Sequence, residues 1–370
     1  MTLTSFHHLF TLKKQGYDPF IDFLKGYCIV CVIINHCMPT DLMDDSAFFF
    51  WGVSAVPMFL MIQVFHAYKH QCTVNNALFA KIWKRVAWPF LLTEMIIFLA
   101  LVIKNQHFHL NEIVSDLSAM IQSGGYGPGA YYPWIYLQFA VLLPLISSVF
   151  RVRGARCEVR GTKCEVRGAR YEVRGTILCL AFVVISQLAE TACAYFALPQ
   201  LAYRLLFIRY IFIFYLGYLL AKKGYSLNVF TLCLAIVFLA FSAYINYSEA
   251  DFSPLLYPFV NNQCHWFSYI YIAYILLFLL KGVYQMIPSD ALLMKYFMMA
   301  GKYSYEIFLF QMVYFVMADD YIANLLNSHI DSYALNASLK MAIPVVFCTM
   351  TVIIVKNIWQ YQGKLREFNE

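Results

Sequence analysis

Apolar residues run along this chain in long blocks that polar residues interrupt only at intervals. Ten blocks stand out, at 20–39, 47–68, 86–103, 133–150, 177–196, 205–221, 229–247, 266–281, 303–318 and 339–358. A helix needs about 20 apolar residues to cross the hydrocarbon layer of a bilayer. The pattern therefore predicts an all-α, polytopic membrane protein with about ten transmembrane helices. The sixth block is the least regular, because Arg204 and Arg209 sit at its start. Between the third and fourth blocks, LNEIVSDLSAMI (110–121) has helical periodicity with a polar face. It is expected to lie on the membrane or to re-enter it. GGYGPGAYYPW (124–134) follows, with glycines and prolines that break a helix. Two readings stay open for it: an ordinary turn, or a loop lining a substrate cleft.

Composition agrees with the pattern. The 370 residues are 61% hydrophobic and 13% charged, with a mean hydropathy of +0.62, against about 25% charged in soluble domains. Lysines and arginines of short loops collect on the cytosolic side. An inside N-terminus puts 22 of the 27 there, Lys13, Lys14, Lys69, Lys81, Lys84 and Arg85 among them. Lys104, Arg204, Arg209 and Lys340 fall outside. Both termini are thus expected in the cytosol, and 1–370 reads as a single membrane domain. The segment MTLTSFHHLFTLKKQGYDPF lacks an apolar core with a small-residue cleavage site, so no cleaved signal peptide is expected.

Residues 151–176 repeat a heptapeptide, RVRGARC-EVRGTKC-EVRGARY-EVRGT, with eight basic and three acidic residues. One valine per unit supplies no apolar seam, and the central glycine disfavours helix, so this is not a coiled coil. It reads as a low-complexity basic insertion in a cytosolic loop. The other reading is a patch held against anionic lipid. No folded platform accompanies the charge, so nucleic acid is not an expected partner. Eleven cysteines are scattered, mostly in apolar blocks. Cys28 and Cys31 form a CxxC inside the first block and read as small core residues. His107 and His109 lack acidic or cysteine neighbours at ligand spacing, and no metal is expected.

The first block carries the candidate chemistry. IDFLKGYCIVCVIINH (21–36) holds Asp22 and Lys25 at one end and Asn35 and His36 at the other. Eleven positions separate Lys25 from His36, about 20° past three full turns, so the two share a helix face about 16 Å apart. Ionisable residues at membrane depth usually face a partner or a cavity. A lysine near the cytosol can hold phosphate, and an imidazole further out can act as general base on a hydroxyl. Acyl-coenzyme A has the matching shape, phosphates at one end and a thioester at the other. The structural reading is that Lys25 snorkels to the interface and His36 bonds a neighbouring helix.

These residues resemble the membrane acyltransferases of family 3, whose first span typically carries a basic residue, ten intervening positions and a histidine. VPMFLMIQVFHAYK (56–69) is similar to the V-P-x-F-x-x-x-S-G-F segment of that family, and KRVAWPFLL (84–92), with Arg85 and Pro89, to its R-x-x-x-P motif. FYLGYLLAKK (214–223) and GKYSYEIFLFQM (301–312) resemble later motifs. The sequence departs from the family at Gln63–Val64, where Ser-Gly is usual, and at Gln311, where many members have histidine. The resemblance implies a ten-span protein of the bacterial inner membrane. Its expected activity moves an acyl group, acetyl above all, from cytosolic acyl-CoA to a hydroxyl of a surface glycan or lipid-linked sugar. Acetyl-CoA would then be a co-substrate, with no permanently bound cofactor. His36 and Lys25 would be catalytic, and Lys25 and Arg85 would hold the donor. Asp22, Asn35, Arg209, Glu306 and Gln311 are the candidate substrate contacts.

Glu94, Glu190, Arg209 and Glu306 lie in apolar blocks, where each is a candidate half of an internal ion pair. His265, beside Trp266, is a candidate acceptor contact at the outer surface. The alternative from another class is a glycolipid or small-anion transporter or flippase, with the same ionisable residues lining a pathway.

Overall fold

A computed structural model describes residues 18–69, 76–107, 109–151, 181–189, 191–193, 195–196, 205–224, 229–247 and 266–369. The heptapeptide repeat beyond Arg151 lies outside the described residues, as do Lys13, Lys14, Glu190, Arg204 and His265. The described chain is all-helical, with no strand among those residues.

Helix α1 (Pro19–Cys37) starts where its sequence says a helix should. The Asp18 side chain caps it by accepting from Phe20 N at 3.1 Å, and Pro19 stands in the first turn, where a missing N–H costs nothing. Two short helices, α2 (Thr40–Asp45) and α3 (Phe48–Trp51), lead to α4 (Ala55–Lys69). α5 (Asn76–Ile82) continues through a π-helical turn, Trp83–Ala87, into α6 (Trp88–Asn105). Pro89 lacks the N–H an α-helix would use there, and a π turn is one way a helix absorbs that loss. α7 (Leu110–Ser123) ends on Gly124 in the left-handed conformation, and α8 (Tyr131–Arg151) returns.

After the helical residues at 181–189, a 3₁₀ turn, Phe207–Tyr210, opens α9 (Phe212–Lys223). Then come α10 (Val229–Tyr247), α11 (Trp266–Met286), α12 (Leu292–Lys302), α13 (Ser304–Met317), α14 (Asp319–His329) and the long α15 (Tyr333–Asn369).

Among the described residues, four helical stretches are long and apolar enough to cross a membrane: Pro19–Cys37, Ala77–Asn105, Tyr269–Met286 and Tyr333–Gln362. Helix also occupies most of the described parts of the other apolar blocks, with turns at 52–54 in the second and a non-helical start at 205–206 in the sixth. α6 shows how such a helix divides its faces. Phe90, Glu94 and Ile97 are buried, while Leu92, Met95, Ile96, Leu99 and Ile103 form an exposed apolar stripe. A stripe of that size would be a liability in water and is at home in lipid.

α1 is largely enclosed, and α12 covers much of it. A Cβ added to Gly26 would sit 1.9 Å from the Phe297 carbonyl oxygen, and one on Gly301 would sit 1.6 Å from that of Asp22. The two backbones therefore touch, antiparallel, through paired glycines, the close approach small residues permit between apolar helices. The stretch between the eighth and ninth blocks is thus a helix packed on α1 as well as a connector.

Candidate functional site

At the N-terminal end of α1, Lys25 Nζ lies 2.6 Å from Asp22 Oδ1, an i, i+3 ion pair with the lysine side chain 27% exposed. Asp22, expected to contact substrate, is the counter-ion of Lys25. Burial makes this pairing necessary, because an isolated ammonium or carboxylate next to an apolar core would be costly. At the C-terminal end, the half-buried His36 ring meets Phe315 of α13 edge-on, centroids 5.8 Å apart. Asn35 beside it is half-buried too.

Between the two ends the shared face carries Ile29 and Val32, 0% and 8% exposed. The face is filled by apolar packing. The cause is local: Gly26 admits the α12 backbone, which closes the space beside Lys25.

Arg85 is exposed on the π turn. That turn is tied to the start of α13 by Tyr305, whose hydroxyl donates to the Val86 carbonyl at 2.7 Å. The next residue, Glu306, pairs with Lys356 of α15 at 2.8 Å, with both side chains over a third exposed. Glu306 therefore has the ion-pair partner its sequence position suggested, at the same end of α13 as Tyr305. Arg209 is 4% exposed in the 3₁₀ turn, and its carbonyl accepts from Ser186 Oγ at 3.0 Å. That turn is fixed by Gln138 of α8, which donates to Leu205 O at 2.7 Å and accepts from Phe207 N at 3.1 Å.

Gln311 is the most unusual of the expected site residues. It is 0% exposed, and neither its amide nitrogen nor its amide oxygen has a hydrogen-bond partner. It lies one turn from Phe315, so both occupy one side of α13, and Phe315 touches His36. Tyr314, 3% exposed, likewise has an unpartnered hydroxyl. Buried polar groups are normally bonded, so orphans of this kind mark a place for a water, an ion or a ligand group. Gln63, the other departure from the family pattern, is half satisfied: its Nε2 donates to Tyr136 O at 3.0 Å and its Oε1 is unpartnered.

The glycine loop is a built element. Gly124, Gly125, Gly127 and Gly129 all have positive φ. The buried Glu94 carboxylate accepts from Tyr126 N at 2.7 Å, and a Cβ on Gly125 would meet that carboxylate at 2.5 Å. Gly127 and Gly129 rest against Met312, Val316 and Phe308 of α13. Trp134 Nε1 holds Gly124 O at 2.6 Å. Among the described residues Glu94 has no ion-pair partner; what it meets is a backbone N–H brought to it by a loop with four positive-φ glycines. His107, which has no acidic neighbour at ligand spacing in the sequence, pairs with Asp116 Oδ2 at 2.8 Å, and that hydrogen bond raises its pKa above the usual imidazole value. The two are nine positions apart, and α7 brings them together.

Cys28 and Cys31 are buried free thiols. Among the described residues no three His, Cys, Asp or Glu side chains converge as a metal site. Compared with family models, with curated proteins and with solved structures, the chain gives no match.

Proposed function

We propose that this chain is a membrane O-acyltransferase with ten spans and both termini in the cytosol, seated in a bacterial inner membrane. It takes an acyl group, acetyl as the expected one, from cytosolic acyl-CoA and places it on a hydroxyl of a glycan or lipid-linked sugar. The observation that carries this reading is the polar layer at the outer end of α1. There the His36 imidazole stands on Phe315, one turn from a fully buried amide, Gln311, that has no partner. A base next to unsatisfied hydrogen-bonding groups suits an acceptor hydroxyl that must be held and deprotonated. His36 takes the hydroxyl proton as the oxygen attacks the thioester carbonyl, and the coenzyme A thiolate leaves. Lys25, with Arg85, meets the donor phosphates from the cytosol. The apolar plug of Ile29 and Val32 has to part for the thioester to reach His36, so the described conformation is the closed one.

The same plug favours one other reading, a transporter for a glycolipid or small anion caught with its pathway shut. Binding of acetyl-CoA to the detergent-solubilised protein separates the two. Saturable binding, weakened about tenfold by Lys25→Ala (roughly 1.4 kcal/mol) and unchanged by His36→Ala, is expected. Absence of binding would remove the acyltransferase and leave the transporter.

A further inference from the structure

Three residues beyond His36, the chain enters a pocket of about 450 Å³ on the outer side. This volume lies within the roughly 300–1,000 Å³ of small-molecule sites. Pro39, Asn327, Asp331, Tyr333, Asn336 and Lys340 line it. The lining is a hydrogen-bonded network. Lys340 Nζ donates to Asn327 Oδ1 at 2.8 Å, and Asn336 Nδ2 donates to the same oxygen at 3.2 Å and to Ile330 O at 3.4 Å. At the rim, the Tyr333 hydroxyl donates to the Asp41 carboxylate. The Asn327 amide nitrogen keeps both donors without a protein acceptor among the described residues, and Lys340 keeps two of its three.

The charge balance restricts what such a network can bind. Asp331 lines the pocket, Asp41 holds its rim, and Asp319 acts electrostatically on Lys340 with Asp320 beside it. One lysine does not offset these carboxylates, so an anionic ligand is repelled. A neutral polyol suits the site: each hydroxyl donates and accepts, as the amides do, and Tyr333, 57% exposed, offers a ring face to a sugar. The polar character continues inward. Asp319 also acts on Cys37 and Tyr314, and the orphaned Tyr314 hydroxyl and Gln311 amide lie on the α13 side that meets His36.

We infer that this outer pocket binds a neutral saccharide through Asn327, Asn336 and Lys340. Its role as the acceptor site for His36 rests on the acyltransferase reading, whereas the binding itself does not.

The full chain in lipid nanodiscs, applied to an array of neutral and acidic glycans, tests this. Retention of neutral glycans is expected, reduced tenfold or more by Lys340→Met and by Asn336→Leu. Lys340→Met, at a partly exposed position, keeps the test sound if Asn336→Leu fails to fold. Retention of no glycan, retention of acidic glycans alone, or neutral binding that survives Lys340→Met would overturn the inference. Neutral binding without acyl transfer would instead remove the acyltransferase and leave the pocket standing.

Discussion

Glu94 sits in an apolar helix because one backbone N–H, that of Tyr126, comes to it. A hydrogen bond to a charged group is worth about 1.5–3 kcal/mol. Glu94→Leu should therefore lower stability by about 2 kcal/mol and speed hydrogen exchange at the Tyr126 amide. Glu94→Gln keeps an acceptor oxygen and should lose less. Thermal unfolding and exchange in detergent check both, and equal behaviour of the two variants would remove the anchoring role. At this scale the sequence could name the polar residues at depth but not their partners. Lys25 and Asp22 are close in sequence, so their pairing was within reach of helix geometry. Glu94 and Tyr126, and His107 and Asp116, meet only because of how the segment after α6 turns back. Gln311 stands out in sequence by departing from the family pattern, and its lack of any partner follows from the packing around it.

Hydropathy alone places the helices, because apolar length and periodicity are local properties. The seventh block coincides with Val229–Tyr247, and the first, fourth and ninth fall within a few residues of their helices. α12 and α14 escaped that reading because each is short and carries charge, and what fixes α12 is its contact with α1. That contact makes a prediction about two helices as units. Gly301→Ala and Gly26→Ala each put a methyl group inside the van der Waals distance of a facing carbonyl, so each should destabilise by about 1–3 kcal/mol. Gly282→Ala, with nothing within 4 Å of the added carbon, should be neutral or slightly stabilising. Unfolding midpoints of the three variants decide it. A harmless Gly301→Ala would mean that α12 stands off from α1.

Across the molecule, the residues tied to the proposed donor and acceptor lie at opposite ends of one helix. Lys25 and Asp22 form an ion pair at one end, and His36, Gln311 and the polar pocket gather at the other. Ile29 and Val32 close the space between them. The positive-inside rule assigns the Lys25 end to the cytosol from loop charges alone. The closed plug was not legible from sequence, since helix geometry gives a shared face but not what covers it.

The central claim, that a donor on the inner side serves a hydroxyl on the outer side through His36, is tested most directly in sealed vesicles. They hold the purified protein with its Lys25 end outward, labelled acetyl-CoA in the bath and a neutral glycan in the lumen. Labelled glycan should accumulate inside with the unaltered protein, and His36→Ala should abolish this while inserting normally. Transfer that persists without the imidazole would contradict the account.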